Sequence, residues 1–413
     1  MKLLIVADDL TGAADAAVPF SASRETAVLV HPTVAWPPAD VLAINTETRY
    51  TDGPTARKTV GGLVSRAAQN GVRVFKKVDS LLRGNVGVEI AASLEALRLP
   101  DRPVLAIVAP AFPRTGRTTL NGIVHMAGTP LGSQRRVADV LSGTGLSHAL
   151  VSTDDWTDPA SLAVRFQQIL TAHIDTAIVD ARNDSDLAAI VAAAESLGDQ
   201  ALLVGSGGIS APLASSFESD DPEKRARPIP VRGGYRAGGH SLVVIGSYAP
   251  TSRAQLDELV RAGFQHIHLD HTNRLDAGDP GGTINVGATI ATLREALDRG
   301  QAVLTPDPAA ALDKKQAKTV AAALGATAAA AASHASSIVV SGGETALAVL
   351  NHLGVAVLRI RGEILPGIVD AEMPGHIQPF ITKSGAFGDV DALTSVVTYI
   401  EHRTAATREG KQH

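Results

Sequence analysis

Short, continuous apolar runs recur along this chain with helix-length stretches between them. Leu3–Val6, Ala27–Val30, Val41–Ile44, Val72–Phe75, Val104–Val108, Ala177–Val179 and Ala201–Val204 are such runs, and Pro54–Gln69 and Val86–Leu97 are two of the intervening stretches. A strand covered on both faces has no solvent side, so it reads as a continuous apolar run rather than an alternating one. Runs of this kind alternating with helices predict an α/β fold: a mostly parallel sheet flanked by helices.

The pattern breaks between Glu218 and Gly239, where acids, Pro-Ile-Pro and two Gly-Gly pairs replace the apolar runs. That is linker composition. A second α/β series follows it, with runs at Leu242–Ile245, Ala302–Leu304, Ile338–Val340 and Val355–Ile360 and helices around Ser252–Ala262 and Ala288–Asp298. The expected organisation is a domain over residues 1–220, a linker over 221–240 and a second domain over 241–405. The alanine-rich stretch Ala321–Ala332 reads as a close-packed helix, and the polar tail after Glu401 as a frayed end.

Composition narrows the function classes. At 413 residues, 45% of them hydrophobic, the chain is long enough for two cores. A formal net charge of −5 and the lack of a dense basic run give no electrostatic case for nucleic acid. The absence of cysteine excludes disulfides, thiol catalysis and cysteine-ligated metals, and suits a reducing compartment. The first apolar stretch meets Asp8-Asp9 too soon for a signal segment, and no run is long enough to span a bilayer. A cytoplasmic protein with no membrane partner is the expectation; monomer or homo-oligomer is left open.

Candidate chemistry lies where the apolar runs end. Val72–Phe75 releases Lys76-Lys77-Val-Asp79-Ser80-Leu-Leu-Arg83, a run of charged and hydrogen-bonding groups suited to a small anion. Leu3–Val6 releases Asp8-Asp9-Leu10-Thr11-Gly12, and Val41–Ile44 releases Asn45-Thr-Glu47-Thr-Arg49. Open α/β sheets bind ligands at the carboxyl ends of their strands, so these polar ends suggest one site. One of the two adjacent acids is expected to act on a substrate hydroxyl, the other to face the packing side or cap the helix that follows. Arg49 and Arg83 offer forks for a carboxylate, and Lys77 a charge for a transferring group. The loop Ala109-Pro-Ala-Phe-Pro113-Arg114-Thr-Gly116-Arg117 reads as rigid and cationic.

In the second series, Ser341-Gly342-Gly343-Glu344-Thr345 puts a glycine pair between a strand and a helix, where free N–H groups favour phosphate. Thr382-Lys383-Ser384-Gly385 begins a second glycine loop. Gly205-Ser-Gly207-Gly208 looks like a dinucleotide fingerprint, but the linker begins where its second strand should be, so close helix packing is the better reading. His266-Ile-His268-Leu-Asp270-His271 has metal-ligand character, yet no second cluster supplies further ligands and no metal site is assigned.

Together, DDLTGAADAA, KKVDSLLRGNVG, APAFPRTGRTT, VGSGGISAPLA, SGGETALAVL and KSGAFGD resemble the four-carbon acid sugar kinases, in family order from Met1 to about Asp391. The resemblance implies a two-domain ATP-dependent kinase of threonate, erythronate or 3-oxo-tetronate, with its active site in the cleft between a sugar-acid-binding and a nucleotide-binding domain. It implies acid-sugar contacts at Asp9, Arg49, Ser80 and Arg83, with Asp79 in the same run, and so selects Asp9 for the cleft and leaves Asp8 to the packing side or the helix cap. It implies ATP contacts at Ser247, Gly342, Gly343, Glu344, Thr345 and Gly385, with Mg²⁺ bridging phosphates. Leu81 stands where the family more often has threonine, which removes a hydroxyl beside the substrate. Two other readings use the same residues: a dinucleotide-dependent oxidoreductase built on Gly205–Gly208, and a non-catalytic sugar-acid sensor.

Overall fold

The computed structural model describes residues 1–130, 136–217, 239–247, 249–270, 284–307, 316–385 and 387–409. Contacts divide the chain into two compact units, Met1–Ile229 and Pro230–His413. Of the stretch expected to be a linker, all but Gly239 and His240 lies outside the described residues, and His240 already begins a strand.

In the first unit the strands are β1 (Leu3–Ala7), β2 (Thr26–Leu29), β3 (Val41–Asn45), β4 (Arg73–Lys77), β5 (Leu105–Ala109), β6 (Arg117–Leu120), β7 (Ile123–Met126), β8 (Thr129–Pro130), β9 (His148–Val151), β10 (Thr176–Val179) and β11 (Ala201–Gly205). The main sheet runs β2-β3-β1-β4-β11-β5-β10-β9, every pairing parallel. From β1 the chain builds β2 and β3 on one side, then returns to build β4 on the other. The order reverses between β1 and β4, which makes that pair the crevice where such sheets take ligands. Ala7 is level with both Asn45 and Lys77, so three loops leave the sheet side by side.

The helices cover the sheet for reasons legible in their sequences. Leu10–Ala17, rich in small residues (Gly12 and four alanines), approaches β1 and β3 closely, and Asp9 caps it by accepting from the Gly12 N–H. Val86–Leu97 buries Val86, Ile90 and Leu94 against Val104, Ala106, Leu202 and Val204.

Two expectations need correcting here. Lys76 and Lys77 do not lie in a loop: they end β4, and Lys76 is wholly buried. Of the segment expected as a rigid loop, Ala109–Arg117, the first residue ends β5 and the last begins β6; a single 3-10 turn, Pro113–Thr115, lies between, and the chain leads on into a small antiparallel sheet, β6-β7-β8.

In the second unit the strands are β12 (His240–Ile245), β13 (Gln265–Leu269), β14 (Ala302–Pro306), β15 (Ala335–Ser341), β16 (Val357–Leu365), β17 (Ile368–Glu372) and β18 (Pro379–Lys383). Their order is β13-β14-β12-β15-β18-β17-β16, parallel except for the two pairings of β17. Val243, Val303, Val339 and Ile381 pack with Leu393 and Val396 of the helix Ala392–Glu409. The alanine-rich stretch is the helix Ala317–Ala331. Ile245 is level with Ser341, and Ser341 with Lys383, so again three strand ends open together. Thr382 and Lys383, expected in a glycine loop, are the last two residues of β18.

Candidate functional site

The loop after β3 turns back over the end of β1 through a left-handed residue, Glu47 (φ 58°), and this brings Arg49 onto the acid pair. Arg49 donates from Nε to Asp8 Oδ2 at 2.7 Å, from Nη2 to Asp8 Oδ1 at 2.8 Å and from Nη1 to Asp9 Oδ2 at 2.7 Å. Asp8 is buried; Asp9 is the more exposed of the two, its side chain 23% accessible. Asp9 also accepts from the Gly12 N–H at 3.0 Å and the Thr11 hydroxyl at 2.9 Å. The expected division of labour is therefore revised. Asp9 is the helix cap, and both acids meet the same arginine although they are adjacent. They converge because the strand has ended at Ala7, so its strict alternation no longer governs them.

Electrostatics follow from burial and this convergence. Burial pushes the Asp8 carboxyl up, with the Asp9 charge adding to it and Arg49 opposing. Burial also works against the Arg49 charge, but Asp8, Asp9 and Asp79 outweigh it and hold the guanidinium well above its ordinary value. Three of the five guanidinium N–H groups are thus committed to the protein's own carboxylates, so Arg49 does not present the open fork expected of it.

The β4 loop builds the adjoining wall. Asp79 accepts from Arg83 Nε and Nη2, both at 2.8 Å, and from the backbone N–H groups of Leu81 and Arg83 at 3.2 Å. Burial opposes the Asp79 charge, but Arg83 and the Arg49 charge hold its carboxyl below the usual carboxylate range. The Asp79 bond in turn raises Arg83, whose side chain is 46% accessible. Gly84 adopts φ +90°, and an added Cβ there would lie 3.2 Å from the Arg49 backbone, so this glycine is what lets the two loops touch. Lys77 is buried, its ammonium donating to the Val78 carbonyl at 3.2 Å and lying beside Gly12.

One part of this site was expected only as a cationic loop, and another escapes a reading of strand ends. Arg117, from β6, donates to the Ser80 hydroxyl, and burial lowers its pKa. Beneath the loops, Lys76 Nζ pairs with Glu89 Oε2 at 2.8 Å and donates to the carbonyls of Val6 and Lys77. Glu89 accepts from the Thr48 hydroxyl, and Asn85 Nδ2 holds the Thr48 carbonyl at 2.7 Å. The residue before Arg49 is thereby tied to the helix Val86–Leu97. The only signal in the sequence was a glutamate among the apolar residues that open the helix and a lysine directly after Val74-Phe75.

The second unit offers a different surface. The helix Gly343–His352 begins at Gly342 (φ +114°) with no side-chain cap, which leaves N–H groups of its first turn without one. Glu344 is exposed and Thr345 is buried. The Gly342 N–H donates to the Lys383 carbonyl at 2.9 Å, and Gly246 to that of Ser341 at 3.1 Å. A Cβ added at Gly246 would come within 1.8 Å of Thr345 Oγ1, and one at Gly385 within 2.3 Å of Ser247 Oγ. Ser247, Gly342, Thr345 and Gly385 are thus brought together at the level ends of β12, β15 and β18.

Two other motifs are placed plainly. Cβ atoms at Gly205, Gly207 and Gly208 would come within 2.7 Å of the Ala109 carbonyl, 2.2 Å of Asp15 and 2.4 Å of the Ala111 carbonyl, so these glycines serve close packing. His266 and His268 share a face of β13 with ring centroids 3.9 Å apart, and burial pushes His266 down to about 4. His271 lies outside the described residues.

Comparison with known proteins places these two surfaces in context. A sugar-binding N-terminal domain family matches residues 3–213, and a nucleotide-binding C-terminal domain family matches residues 242–393. The chain is 32% identical to a D-threonate kinase of Cupriavidus necator, over 95% of this chain and 96% of that protein. It is 31% identical to a D-threonate kinase of Bordetella bronchiseptica, over 97% of each. The crystal structure of a Haemophilus influenzae protein of the DUF1537 family matches with a TM-score of 0.69 at 20% identity, over 98% of this chain and 99% of that one; it shares the fold.

Proposed function

Since this chain belongs to the four-carbon acid sugar kinase family, we propose that it transfers the γ-phosphoryl group of ATP to a hydroxyl of threonate, erythronate or 3-oxo-tetronate. The observation that carries this reading is the pair of chemically distinct surfaces. One is a strand-end cluster of acids, arginines and a lysine in the sugar-binding match. The other is an uncapped, glycine-lined helix start in the nucleotide-binding match.

The residues divide the work as follows. Asp9, the more accessible acid, accepts the proton of the attacking hydroxyl or orients it. Asp8 and Arg49 hold Asp9 in place, and the two remaining Arg49 N–H groups, Ser80 and the outer face of Arg83 bind the acid's carboxylate and hydroxyls. Asp79 fixes Arg83 for that task. Lys77 neutralises charge on the phosphoryl group in flight. Ser247, Gly385 and the N–H groups of Gly343, Glu344 and Thr345 hold the nucleotide's phosphates. Among the described residues no three His, Asp or Glu side chains gather into a cation cage. Mg²⁺ brought in with the nucleotide would offset phosphate charge. The chemistry is mainly positioning and charge neutralisation.

D-Threonate is the first acid to test, because the relatives described above are named for it. ADP release should be strong with one C4 acid in a panel of D-threonate, D-erythronate and 3-oxo-tetronate. Binding of an acid without ATP turnover would favour the sensor reading, and NADH binding the oxidoreductase. The described residues contain no helix long and apolar enough to cross a membrane; we propose the cytoplasm, where ATP is supplied and a cysteine-free chain needs no oxidant.

A further inference from the structure

Lys383 is wholly buried at the end of β18, and among the described residues no carboxylate pairs with it. Its ammonium donates to three backbone carbonyls: Ser384 at 3.0 Å, Gly385 at 3.4 Å and Phe387 at 2.9 Å. An ammonium has three N–H donors, so all are committed to its own loop. Two side chains from the helix Pro250–Arg261 reach the same loop. Ser252 Oγ donates to the Gly385 carbonyl at 2.8 Å. Gln255 Nε2, with two N–H donors, lies within hydrogen-bond distance of the carbonyls of Phe387, Gly388 and Asp389, at 3.1, 3.2 and 2.8 Å. Five carbonyls are therefore drawn to one polar anchor in an otherwise apolar interior.

The consequence lies in the geometry of the peptide bond. No peptide here is cis, so the C=O and the following N–H point in opposite directions. Pulling the carbonyls of Ser384, Phe387 and Gly388 toward the anchor turns the N–H groups of Gly385, Gly388 and Asp389 away from it. Successive N–H groups presented outward in a tight loop attract anions. Gly385 is also the residue packed on Ser247. A lysine in a glycine loop invites the reading that it grips phosphate itself, but its donors point the other way.

We propose that Lys383 is a positioning residue of the nucleotide site: together with Ser252 and Gln255 it moulds this loop from inside, so that the backbone, not the ammonium, receives a phosphate. The inference rests on the nucleotide site proposed above, and the experiment separates the two. Binding of ATP and of adenosine to wild type, Lys383→Met and Gln255→Leu is measured by calorimetry, with thermal melts to check folding. Both variants are expected to weaken ATP about tenfold or more (about 1.4 kcal/mol) while adenosine affinity stays at the wild-type value. A general loss of structure would weaken both ligands equally and overturn the proposal. Weakening by Lys383→Met alone would make the lysine a direct phosphate ligand, and unchanged ATP binding in both variants would remove its role; either overturns it. If Lys383→Met does not fold, Gln255→Leu and Ser252→Ala decide: selective loss of ATP supports the mould, and wild-type affinity in both refutes it. A wild type that binds no ATP removes the nucleotide site itself, and this inference with it.

Discussion

Arg49 grips Asp8 with two parallel hydrogen bonds, at 2.7 and 2.8 Å, and gives a third to Asp9. The pair is buried, and Asp8 depends on Arg49 for charge compensation, whereas Arg49 also meets Asp9. Removing one partner of a buried pair leaves an uncompensated charge and costs about 3–5 kcal/mol. Arg49→Met strips Asp8 of its guanidinium and should lower stability by about that amount; Asp8→Asn leaves Arg49 its contact with Asp9 and should cost less, and the double variant should cost less than the sum of the two. Arg49→Lys keeps the charge but loses the fork and should cost about 1–3 kcal/mol. Denaturant midpoints for wild type and the four variants test this; additive losses would mean that the contact is not energetically coupled.

Asp9 carries a different burden. As the helix cap and the more accessible acid, it is expected to affect turnover more than folding. Asp9→Asn should reduce kcat by about 10²–10⁴ if Asp9 is the general base, with a stability loss of only about 0.5–2 kcal/mol from the weakened cap. Steady-state kinetics beside thermal melts separate the two effects. Full activity in a stable Asp9→Asn protein would remove it from the chemistry.

Both acids were visible as a pair at a strand end, and the fold was visible in the apolar runs, because a strand buried on both faces leaves a continuous hydrophobic signature. What a strand-end reading misses is partnership across the sequence. The two lysines of β4 look like loop residues, because nothing near them announces that Glu89, on the next helix, neutralises Lys76. Which acid caps and which pairs is decided by where Arg49 lands, and that depends on a left-handed turn at Glu47, a residue with no glycine to advertise it. Arg117 was expected in a cationic loop, but it begins a short strand whose apolar content is too low to stand out, and nothing near it announces its contact with Ser80. Lys383 sits in a segment that reads as a glycine loop, although the strand continues through it.

Asp79 gives a pH test in the acid range. Its carboxyl is held below the ordinary value of 3.8 by Arg83 and Arg49, despite burial. A depressed folded pKa means stability that is present above the unfolded pKa and lost as pH falls through and below it. The stability advantage of wild type over Asp79→Asn should therefore be constant near neutrality and shrink as pH drops below about 4. Urea midpoints of both proteins from pH 7 to 3 check this. A gap that does not change with pH would mean the Asp79 charge contributes nothing.

Glycines in the second unit should be intolerant in a site-specific way. A methyl at Gly385 would stand 2.3 Å from Ser247 Oγ and 2.5 Å from its Cβ, so Ser247 must move. Gly385→Ala should weaken ATP while leaving acid binding by the first unit unchanged. Gly62 is the control: it lies within the helix Gly53–Gln69, and a Cβ there meets nothing within 4 Å. Gly62→Ala should raise stability by up to about 1 kcal/mol with no effect on either ligand, because it removes only backbone entropy from the unfolded chain. Equal behaviour of the two variants in ATP titrations would count against a phosphate loop at Gly385.

Lys383 supplies the opposite pH signature. Burial pushes its ammonium down to about 8, from an ordinary 10.5. The unfolded chain therefore keeps this proton up to about 10.5, while the native protein gives it up near 8. Between those values the unfolded state binds more protons, so the contribution of Lys383 to stability rises with pH. Below about 8 the lysine is charged in both states and its contribution is flat. Other lysines titrate in the same window, but they are common to wild type and Lys383→Met and cancel in the difference. The stability of wild type relative to Lys383→Met should thus be level from pH 6.5 to 7.5 and climb from about 8 to 10, by at most about 3 kcal/mol over the whole window. Urea midpoints of the two proteins across that range measure it. A difference that stays flat through pH 10 would show that the buried ammonium is fully compensated by the carbonyls of Ser384, Gly385 and Phe387, and that it holds its proton as firmly as an exposed lysine does.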